Sequence, residues 1–348
     1  MIEKKKGVFK VDKLRTILLY EADFNMNNKY VGRDMMYKAE AAQLLAKEQY
    51  GSRKRKAAIS HALNKRLTFD IMRQQKKRGG ICSCDLKSCY DRIVHSFAAL
   101  AMRRAGAAKS ATVSMFDTIQ KLKHQVRTAF GDSEDTFGGE LWRDLDPLMG
   151  VGQGNGAGPA IWAVISTTFF DTLRENGFGA ILTAPFSKVE INLSGYGFVD
   201  DTDLIETGLD TDDYLDICLK LQSALNLWET CTEVSGGCLV PEKSWYTLVD
   251  FEWTEGNWDY VSTFEDVSIS LKNSEGEVVA LKQLAADEAQ NILGVWLAPD
   301  GNNRKQVEEM RAATVRWAEQ VRTGCIDRRD AWLALTMTIM KKLEYVSW

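Results

Sequence analysis

The feature that most constrains this chain is a pair of adjacent carboxylates inside an otherwise apolar segment. Residues 195–204 read GYGFVDDTDL. This pattern predicts two short strands joined by a tight turn, with Asp200 and Asp201 at the tip. Adjacent carboxylates repel and raise each other's pKa, and a divalent metal is the usual means of neutralising them. Asp-Asp is also common in solvated turns, but a second acidic strand end, at Asp85, favours the metal.

Asp85 closes a compact predicted strand at 81–86, which reads ICSCDL. If this strand neighbours the hairpin, Asp85, Asp200 and Asp201 come together at one edge of a sheet. Hard carboxylate oxygens suit magnesium, which keeps several waters and takes further ligands from phosphates. Two such ions can lower the pKa of an attacking hydroxyl and hold a triphosphate in line. The sequence therefore predicts a site with two magnesium ions.

Charge is divided unevenly along the 348 residues, although the net charge is only −4. Residues 1–130 carry 28 Lys and Arg against 11 Asp and Glu, whereas the remainder carries 16 against 37. This asymmetry indicates a basic half that meets a polyanion, with solvated charged faces as the alternative for any single run. A hydrophobic content of 45% is enough for two or three subdomains with their own cores.

The seven cysteines show neither zinc spacing nor a disulfide framework, which fits a reducing compartment. No apolar run approaches the roughly 20 residues that span a bilayer. The N-terminus begins MIEKKK and lacks the apolar core of a signal peptide. We expect a soluble intracellular protein without membrane contact, and the sequence does not distinguish nucleus from cytoplasm.

Periodicity and breakers predict alternating helices and strands, which indicates the α+β class. The predicted helices lie at 30–77, in about 15 residues after Asp85, and at 111–124, 160–174, 211–235, 303–323 and 328–346. The predicted strands lie at 15–20, 81–86, 125–130, 140–148, 244–249 and 292–297, with antiparallel strands at 257–284 around a turn at 273–276.

Two loops have unusual compositions. Residues 49–56, QYGSRKRK, interrupt a helical pattern with a glycine and a basic run. At a helix N-terminus such cations suit phosphate, and a solvated turn is an equal alternative. Residues 150–159, GVGQGNGAGP, are too rich in glycine for a regular element and lead into an apolar helix. The basic run consists of Arg53, Lys54, Arg55 and Lys56.

Together these motifs resemble those of reverse transcriptases, in the order and spacing of that family. Motifs A, B and C are matched by 85–91 (DLKSCYD), 150–154 (GVGQG) with Pro159, and 198–201 (FVDD). The two fingers motifs, motif D and the primer-grip strand are matched by 15–17, 49–53, 241–244 and 293–297. The resemblance covers about residues 10–300. It is closer to non-LTR retrotransposon and group II intron enzymes than to retroviral ones, because Asp91 directly follows the motif A aromatic.

The resemblance implies a role for each matching residue. Asp85, Asp200 and Asp201 would hold the metals, and Tyr90 would be the steric gate against a ribose 2′-hydroxyl. Lys243 would protonate the pyrophosphate leaving group. Arg15 would meet the triphosphate, and Gln153 and Gly154 would position template and incoming nucleotide. The basic run at 53–56 would bind the nucleic-acid backbone.

Some of these residues have plain structural alternatives. Tyr90 could be a core aromatic, and Lys243 could be a surface cation near a strand end. We expect Asp203 to be a turn residue. The sequence departs from motif B at Gly152, where proline is usual, and at Gly158, where serine is usual, which predicts a more flexible loop.

The resemblance implies a right-hand polymerase, with an antiparallel palm sheet packed on helices. The expected fingers are 1–80 and 108–148, the palm is 81–107 and 149–298, and a partial thumb is 299–348. The expected function is RNA-directed DNA polymerisation with dNTP, magnesium, an RNA template and a DNA or RNA primer. An inactive or truncated retroelement remnant that only binds nucleic acid, and an RNA-dependent RNA polymerase, remain as alternatives.

Overall fold

The computed structural model describes residues 2–3, 7–8, 10, 14–129, 131–140, 148–184, 186–209 and 211–346. Its helices are α1 Ala22–Ala41, α2 Ala58–Gln75, α3 Cys89–Arg92, α4 His95–Arg104, α5 Lys109–Lys121, α6 Gly158–Glu175, α7 Tyr214–Val234, α8 Arg304–Thr323, α9 Arg328–Ala334 and α10 Met340–Val346. A π-helical turn, Leu335–Ile339, joins the last two.

The strands form one central sheet and several two-stranded ribbons. They are β1 Ile2–Glu3, β2 Leu14–Arg15, β3 Gly79–Cys84, β4 Lys123–His124, β5 Arg127–Thr128, β6 Gly131–Asp132, β7 Phe137–Gly138, β8 Ala180–Thr183, β9 Glu190–Leu193, β10 Gly195–Phe198, β11 Asp201–Thr207, β12 Trp245–Val249, β13 Phe251–Thr254, β14 Asn257–Tyr260, β15 Ser270–Lys272, β16 Val278–Ala280, β17 Lys282–Gln283, β18 Gln290–Ile292 and β19 Val295–Leu297.

The central sheet has the strand order β10-β11-β3-β12-β17. Its first four strands pair antiparallel, and only β17 runs parallel to its neighbour β12. The predicted hairpin and the strand before Asp85 are therefore neighbours in the middle of the sheet. The α+β prediction, with a mainly antiparallel sheet packed on helices, is confirmed.

Helices cover both faces of the sheet. Because side chains alternate between the faces along each strand, neighbouring residues of a strand pack on different helices. On one face Cys82 and Leu204 belong to the main core, which is built on α6 and α7. Trp228 of α7 is fully buried there, with its ring 5.0 Å from that of Phe170. On the other face Ile81 packs with residues of α2. The sheet is thus held between helices.

Local chemistry explains where the two core helices begin. Pro159 occupies the first turn of α6, where the missing N–H is not needed. Asp213 and Asp216 cap α7 reciprocally, since each carboxylate accepts the backbone N–H of the other at 2.9–3.0 Å. In the part of the chain that the structure describes, no helix combines the length and apolarity that crossing a bilayer requires.

Several element boundaries differ from the sequence predictions. The helix predicted at 30–77 is two helices, since 42–57 forms a loop in which Gln43, Ser52 and Arg55 have positive φ. The helix after Asp85 is broken into α3 and α4. The strand predicted at 15–20 is limited to Leu14–Arg15, and that at 125–130 to Arg127–Thr128. Of the strand predicted at 140–148, residues 141–147 lie outside the described residues.

Asp203 is not a turn residue, and that prediction is wrong. It lies in β11, is only 6% exposed, and pairs with Lys65 of α2 at 2.8 Å. The Lys65 side chain is 1% exposed. A charge buried to this degree is tolerated only with a partner, so each residue of the pair requires the other.

We predict that breaking this ion pair destabilises the fold more than replacing it. Lys65→Met or Asp203→Leu should each lower the free energy of unfolding by about 3–5 kcal/mol, because each leaves one buried charge alone. The double variant, with apolar groups of similar shape, should recover most of that loss. Urea denaturation of the four proteins measures this, and a double variant as unstable as the sum of the single ones would contradict it.

Candidate active site

The three predicted metal aspartates meet at one end of the central sheet. Thr202 of β11 is paired with Cys84 of β3, so one further step along this antiparallel register places Asp85 opposite Asp201. Phe198 is paired with Asp201, which leaves Val199 and Asp200 as a two-residue turn. Opposite residues share a face of the sheet, and Asp85 and Asp201 therefore present their carboxylates to the same side.

The pKa of Asp201 is raised in this arrangement. Partial burial is the largest cause that raises the pKa of Asp201, to about 6, and the charges of Asp200, Asp203 and Asp85 raise it further. Although Asp201 reaches solvent, the neighbouring carboxylates disfavour its ionisation. The cluster therefore has an excess of negative charge that a cation would relieve.

Lys243 supplies one such cation. It lies in the 3₁₀ turn Pro241–Lys243, and its Nζ is 2.6 Å from Asp85 Oδ2. The turn is fixed to Asp85 through the backbone, because Val240 donates to the Asp85 carbonyl at 2.9 Å and Ser244 Oγ accepts the Asp85 N–H at 3.2 Å. The structure thus brings Lys243 to the carboxylates, as the order of the motifs suggested.

The donor set fits a hard divalent cation in charge and in atom type. Its ligands are carboxylate oxygens. Burial is the largest cause of the raised pKa of Asp201, and the neighbouring negative charges, which a metal ion would compensate, add to it. Within the described ranges, no three Asp, Glu, His or Cys side chains are already grouped as a metal cage. Magnesium does not need one, since it takes several ligands from water and from substrate phosphates.

Tyr90 lies beside the carboxylates, on the short helix α3. Burial is the main cause that raises the pKa of its hydroxyl, and the charges of Cys89 and Asp200 add to it. Its ring packs on Gly158, where an added Cβ would lie 3.4 Å from Tyr90 Cδ1. Tyr90 is therefore a half-buried ring at the edge of the site, with a neutral hydroxyl.

The glycine-rich loop packs directly on the backbone of motif A. Val151 donates to the Tyr90 carbonyl at 2.7 Å. Gly150 has a φ of +80°, and a Cβ there would lie 2.5 Å from the Tyr90 carbonyl oxygen. No side chain fits at that position, which explains one glycine of the loop by close backbone approach.

The segment 16–20 crosses over the same loop. Leu18 donates to the Gln153 carbonyl at 2.7 Å, and an added Cβ on Gly154 would lie 2.2 Å from the Leu18 carbonyl oxygen. Asn25 of α1 donates to the Gly154 carbonyl at 3.0 Å. These contacts fix the path of the loop from two sides, so the flexibility that we expected from its glycines is not needed for its packing.

The predicted phosphate-binding cations differ in environment. Arg53 is turned inward: its side chain is 11% exposed, pairs with Glu40 at 2.7 Å and donates to the Ala46 carbonyl at 2.6 Å. Lys54 and Arg55 are exposed. Arg53 thus holds the loop together, while its neighbours reach solvent.

Lys56 and Arg15 are the other two residues that the sequence predicts to meet phosphate. Lys56 is half-buried and lies over the Tyr50 ring, with Nζ 4.6 Å from the ring centroid. The backbone of Arg15 pairs with Ile2 in the β1–β2 ribbon, and the Arg15 side chain lies outside the described part of the structure.

Lys65 and Asp203 belong to the acidic site and were not predicted from the sequence. Asp203 follows Asp201 by two residues in β11, and it therefore shares a face of the sheet with Asp201. Burial lowers the pKa of Lys65 below its ordinary value. The negative charges of Asp203 and Asp201 oppose this shift without cancelling it. The alternation D-x-D within a strand was a signal for Asp203, whereas nothing local marks Lys65 as its partner.

We predict that ionisation of Asp201 destabilises the metal-free protein. Its pKa is about 6 when folded against an ordinary 3.8, so the folded state binds more protons between these values and the free energy of unfolding falls as pH rises through them. Asp201→Asn removes this dependence. In EDTA, the Tm of Asp201→Asn minus that of wild type should increase as the pH rises from about 4 to about 6. A Tm difference that stays constant over this range would contradict the prediction. Asp259→Asn, on exposed β14, is the control.

One comparison with known proteins assigns this chain to a family. A family profile described as "Reverse transcriptase (RNA-dependent DNA polymerase)" matches residues 2–297. A search of curated proteins found none similar to this chain.

Among solved structures, telomerase from Candida tropicalis in complex with a TWJ fragment of telomeric RNA has 15% identity and a TM-score of 0.43, over 65% of this chain and 35% of that one. The telomerase from Candida albicans with the same kind of fragment has 14% identity and a TM-score of 0.43, over 72% of this chain and 40% of that one. This chain thus spans 35–40% of the length of these telomerases.

The family match covers most of the chain and includes all three aspartates. It agrees with the mainly antiparallel sheet held on helices, and the predicted right-hand polymerase fold is confirmed. The chain belongs to the reverse transcriptases, the family of nucleotidyltransferases that are RNA-directed DNA polymerases.

Proposed function

We propose that this chain adds dNTPs to a primer 3′-hydroxyl on an RNA template. The observation that carries the proposal is the register of the central sheet, which sets Asp85 opposite Asp201 on adjacent strands, with Asp200 on the adjoining turn. Family membership supports RNA-directed DNA polymerisation independently.

Asp85, Asp200 and Asp201 would hold two magnesium ions. Such ions, when bound, lower the pKa of an attacking hydroxyl and stabilise the charge on the phosphates. Lys243 would give a proton to the pyrophosphate oxygen as it leaves. Its contact with Asp85 keeps the ammonium at the site, and a side chain that is 66% exposed has the freedom to turn towards a triphosphate.

Tyr90 would select the sugar of the incoming nucleotide. A rigid aromatic ring beside Asp200 would leave no space for a ribose 2′-hydroxyl, and the contact of Tyr90 with Gly158 supports its position. Gln153 and Gly154 would position template and nucleotide from the glycine-rich loop, and Arg15 would meet the triphosphate. The fixed path of that loop, between 16–20 and motif A, supports such a positioning role.

The nucleic-acid backbone would lie along the basic N-terminal half. Lys54 and Arg55 are exposed next to the N-terminal end of α2, where cations and free N–H groups suit phosphate. Lys56 and Arg53 would support that loop. We assign the fingers to 1–80 and 108–148, the palm to 81–107 and 149–298, and a partial thumb to 299–348, in an intracellular protein.

The branch of the family that we propose is that of retroelements of the non-LTR retrotransposon or group II intron kind. The feature that supports it is Asp91, which follows the motif A aromatic Tyr90 directly. An RNA polymerase of similar fold would carry the aspartate one position earlier.

We predict that Asp200→Ala abolishes primer extension on an RNA template with dNTP and magnesium. The loss should exceed about 100-fold, since even the hydrogen-bond partners of metal ligands contribute about 10- to 100-fold and Asp200 is proposed as a ligand itself. Asp259→Ala, which removes an exposed carboxylate from β14, should extend primers like wild type. Wild-type protein that binds template-primer without extending it would favour an inactive remnant.

Tyr90→Ala should relax selection between dNTP and rNTP. Removing the ring would open space for a 2′-hydroxyl, and the ratio of kcat/KM for dNTP to that for rNTP should fall by about 10- to 100-fold. Extension with dNTP by the same variant controls for a general loss of activity. An unchanged ratio in a folded variant would exclude Tyr90 as the gate, and a wild type that prefers rNTP would indicate an RNA polymerase.

A further inference from the structure

The turn that carries Asp200 has a strained backbone. Val199, which precedes Asp200, has a φ of +60°, a left-handed conformation that β-branched residues avoid. Such a conformation is energetically unfavourable and persists only where the surroundings enforce it. The groups that hold Val199 therefore fix the backbone from which the Asp200 side chain extends.

Gln49 binds both backbone groups of Val199. Its Oε1 accepts the Val199 N–H at 3.0 Å, and its Nε2 donates to the Val199 carbonyl at 3.2 Å. The same amide accepts the Gly51 N–H at 2.8 Å and donates to Ser166 Oγ at 2.9 Å. Trp162 Nε1 donates to the Val199 carbonyl at 2.6 Å. With Gln49 only 1% exposed, these bonds are shielded from water.

The backbone on either side of Gln49 is joined to the hairpin as well. Gly197 of β10 donates to the Glu48 carbonyl at 2.8 Å, and Tyr50 donates to the Gly197 carbonyl at 2.7 Å. An added Cβ on Gly51 would lie 2.3 Å from the Val199 nitrogen. The segment 48–51 therefore lies against the edge of β10 and fits only without a side chain at Gly51.

We propose that Gln49, together with Trp162, is a positioning residue that fixes the Val199–Asp200 turn in the orientation in which Asp200 holds metal. The inference rests on the proposed function, since it assigns Asp200 to the metal site. Gln49 is buried and would act on the metal site only through the turn.

The chain offers a matched control for this role. Gln222 of α7 makes the same pair of bonds to one backbone residue, since it donates to the Ser270 carbonyl at 3.0 Å and accepts the Ser270 N–H at 2.8 Å. Ser270 lies in β15, outside the central sheet. Gln222→Met therefore removes an equivalent clamp without affecting the acidic turn.

The experiment compares Gln49→Met, Trp162→Phe and Gln222→Met with wild type in two measurements. The first is primer extension, resolved into kcat, KM for dNTP and Kd for template-primer. The second is binding of Mn²⁺ alone, followed by electron paramagnetic resonance, because carboxylate sites for magnesium also take manganese. Trp162→Phe keeps a ring in the core and loses one hydrogen bond and part of the ring volume, so it serves if Gln49→Met does not fold.

Gln49→Met should lower kcat by about 10- to 100-fold and weaken Mn²⁺ binding about 10-fold, with dNTP KM and template-primer Kd within about 3-fold of wild type. Trp162→Phe should show the same pattern more weakly. Gln222→Met should lower only the Tm.

The outcomes separate the two proposals. If wild type is active and both Gln49→Met and Trp162→Phe behave like Gln222→Met, the positioning role is overturned. The proposed function then still stands. Inactive wild type whose Mn²⁺ binding still depends on Gln49 would overturn the proposed function alone. Wild type without Mn²⁺ binding at the Asp200 turn would overturn the positioning role.

Discussion

The antiparallel register of β3 and β11 is the constraint on which the rest of this structure depends. It sets Asp85 opposite Asp201, so that negative charge accumulates at one end of the sheet. Burial, as the largest cause, raises the pKa of Asp201 to about 6, and the neighbouring carboxylates raise it further. Two lysines from distant parts of the chain offset that charge. Lys65 pairs with Asp203 inside the protein, and Lys243 pairs with Asp85 in a more exposed position. The buried lysine has a structural role, while the exposed one remains available for chemistry.

The same site requires several backbone segments to approach closely without side chains between them. Gly150 packs on the Tyr90 carbonyl, Gly154 lies under Leu18, and Gly51 lies against Val199. Each contact joins a different pair of segments around the site, and each leaves no room for a Cβ. The glycine-rich composition of motif B therefore reflects packing density at least as much as loop freedom.

Motifs and local periodicity were sufficient to predict the α+β fold, the acidic hairpin and its neighbouring strand, because these depend on alternation and on turn residues near in sequence. Long-range pairing was not accessible in the same way. Asp203 was predicted to be a turn residue. Its partner Lys65 lies 138 positions earlier in the chain, where no local pattern connects the two. Arg53 belonged to an apparently solvated basic run, yet its guanidinium is bound to Glu40. In both cases a tertiary contact, which the local pattern does not show, decides where the side chain lies.

The chemistry of Gln49 follows from its place beside these carboxylates. The turn at Val199 presents one N–H and one carbonyl to the same neighbour, and a side-chain amide can accept the first and donate to the second with two different atoms while staying neutral. A glutamate would lack the donor and would add charge to a site that already disfavours ionisation of Asp201. A lysine or arginine would lack the acceptor and would bring a fixed cation next to Asp200, where a metal is proposed to bind. A neutral amide therefore satisfies a strained turn without altering the field that the aspartates create.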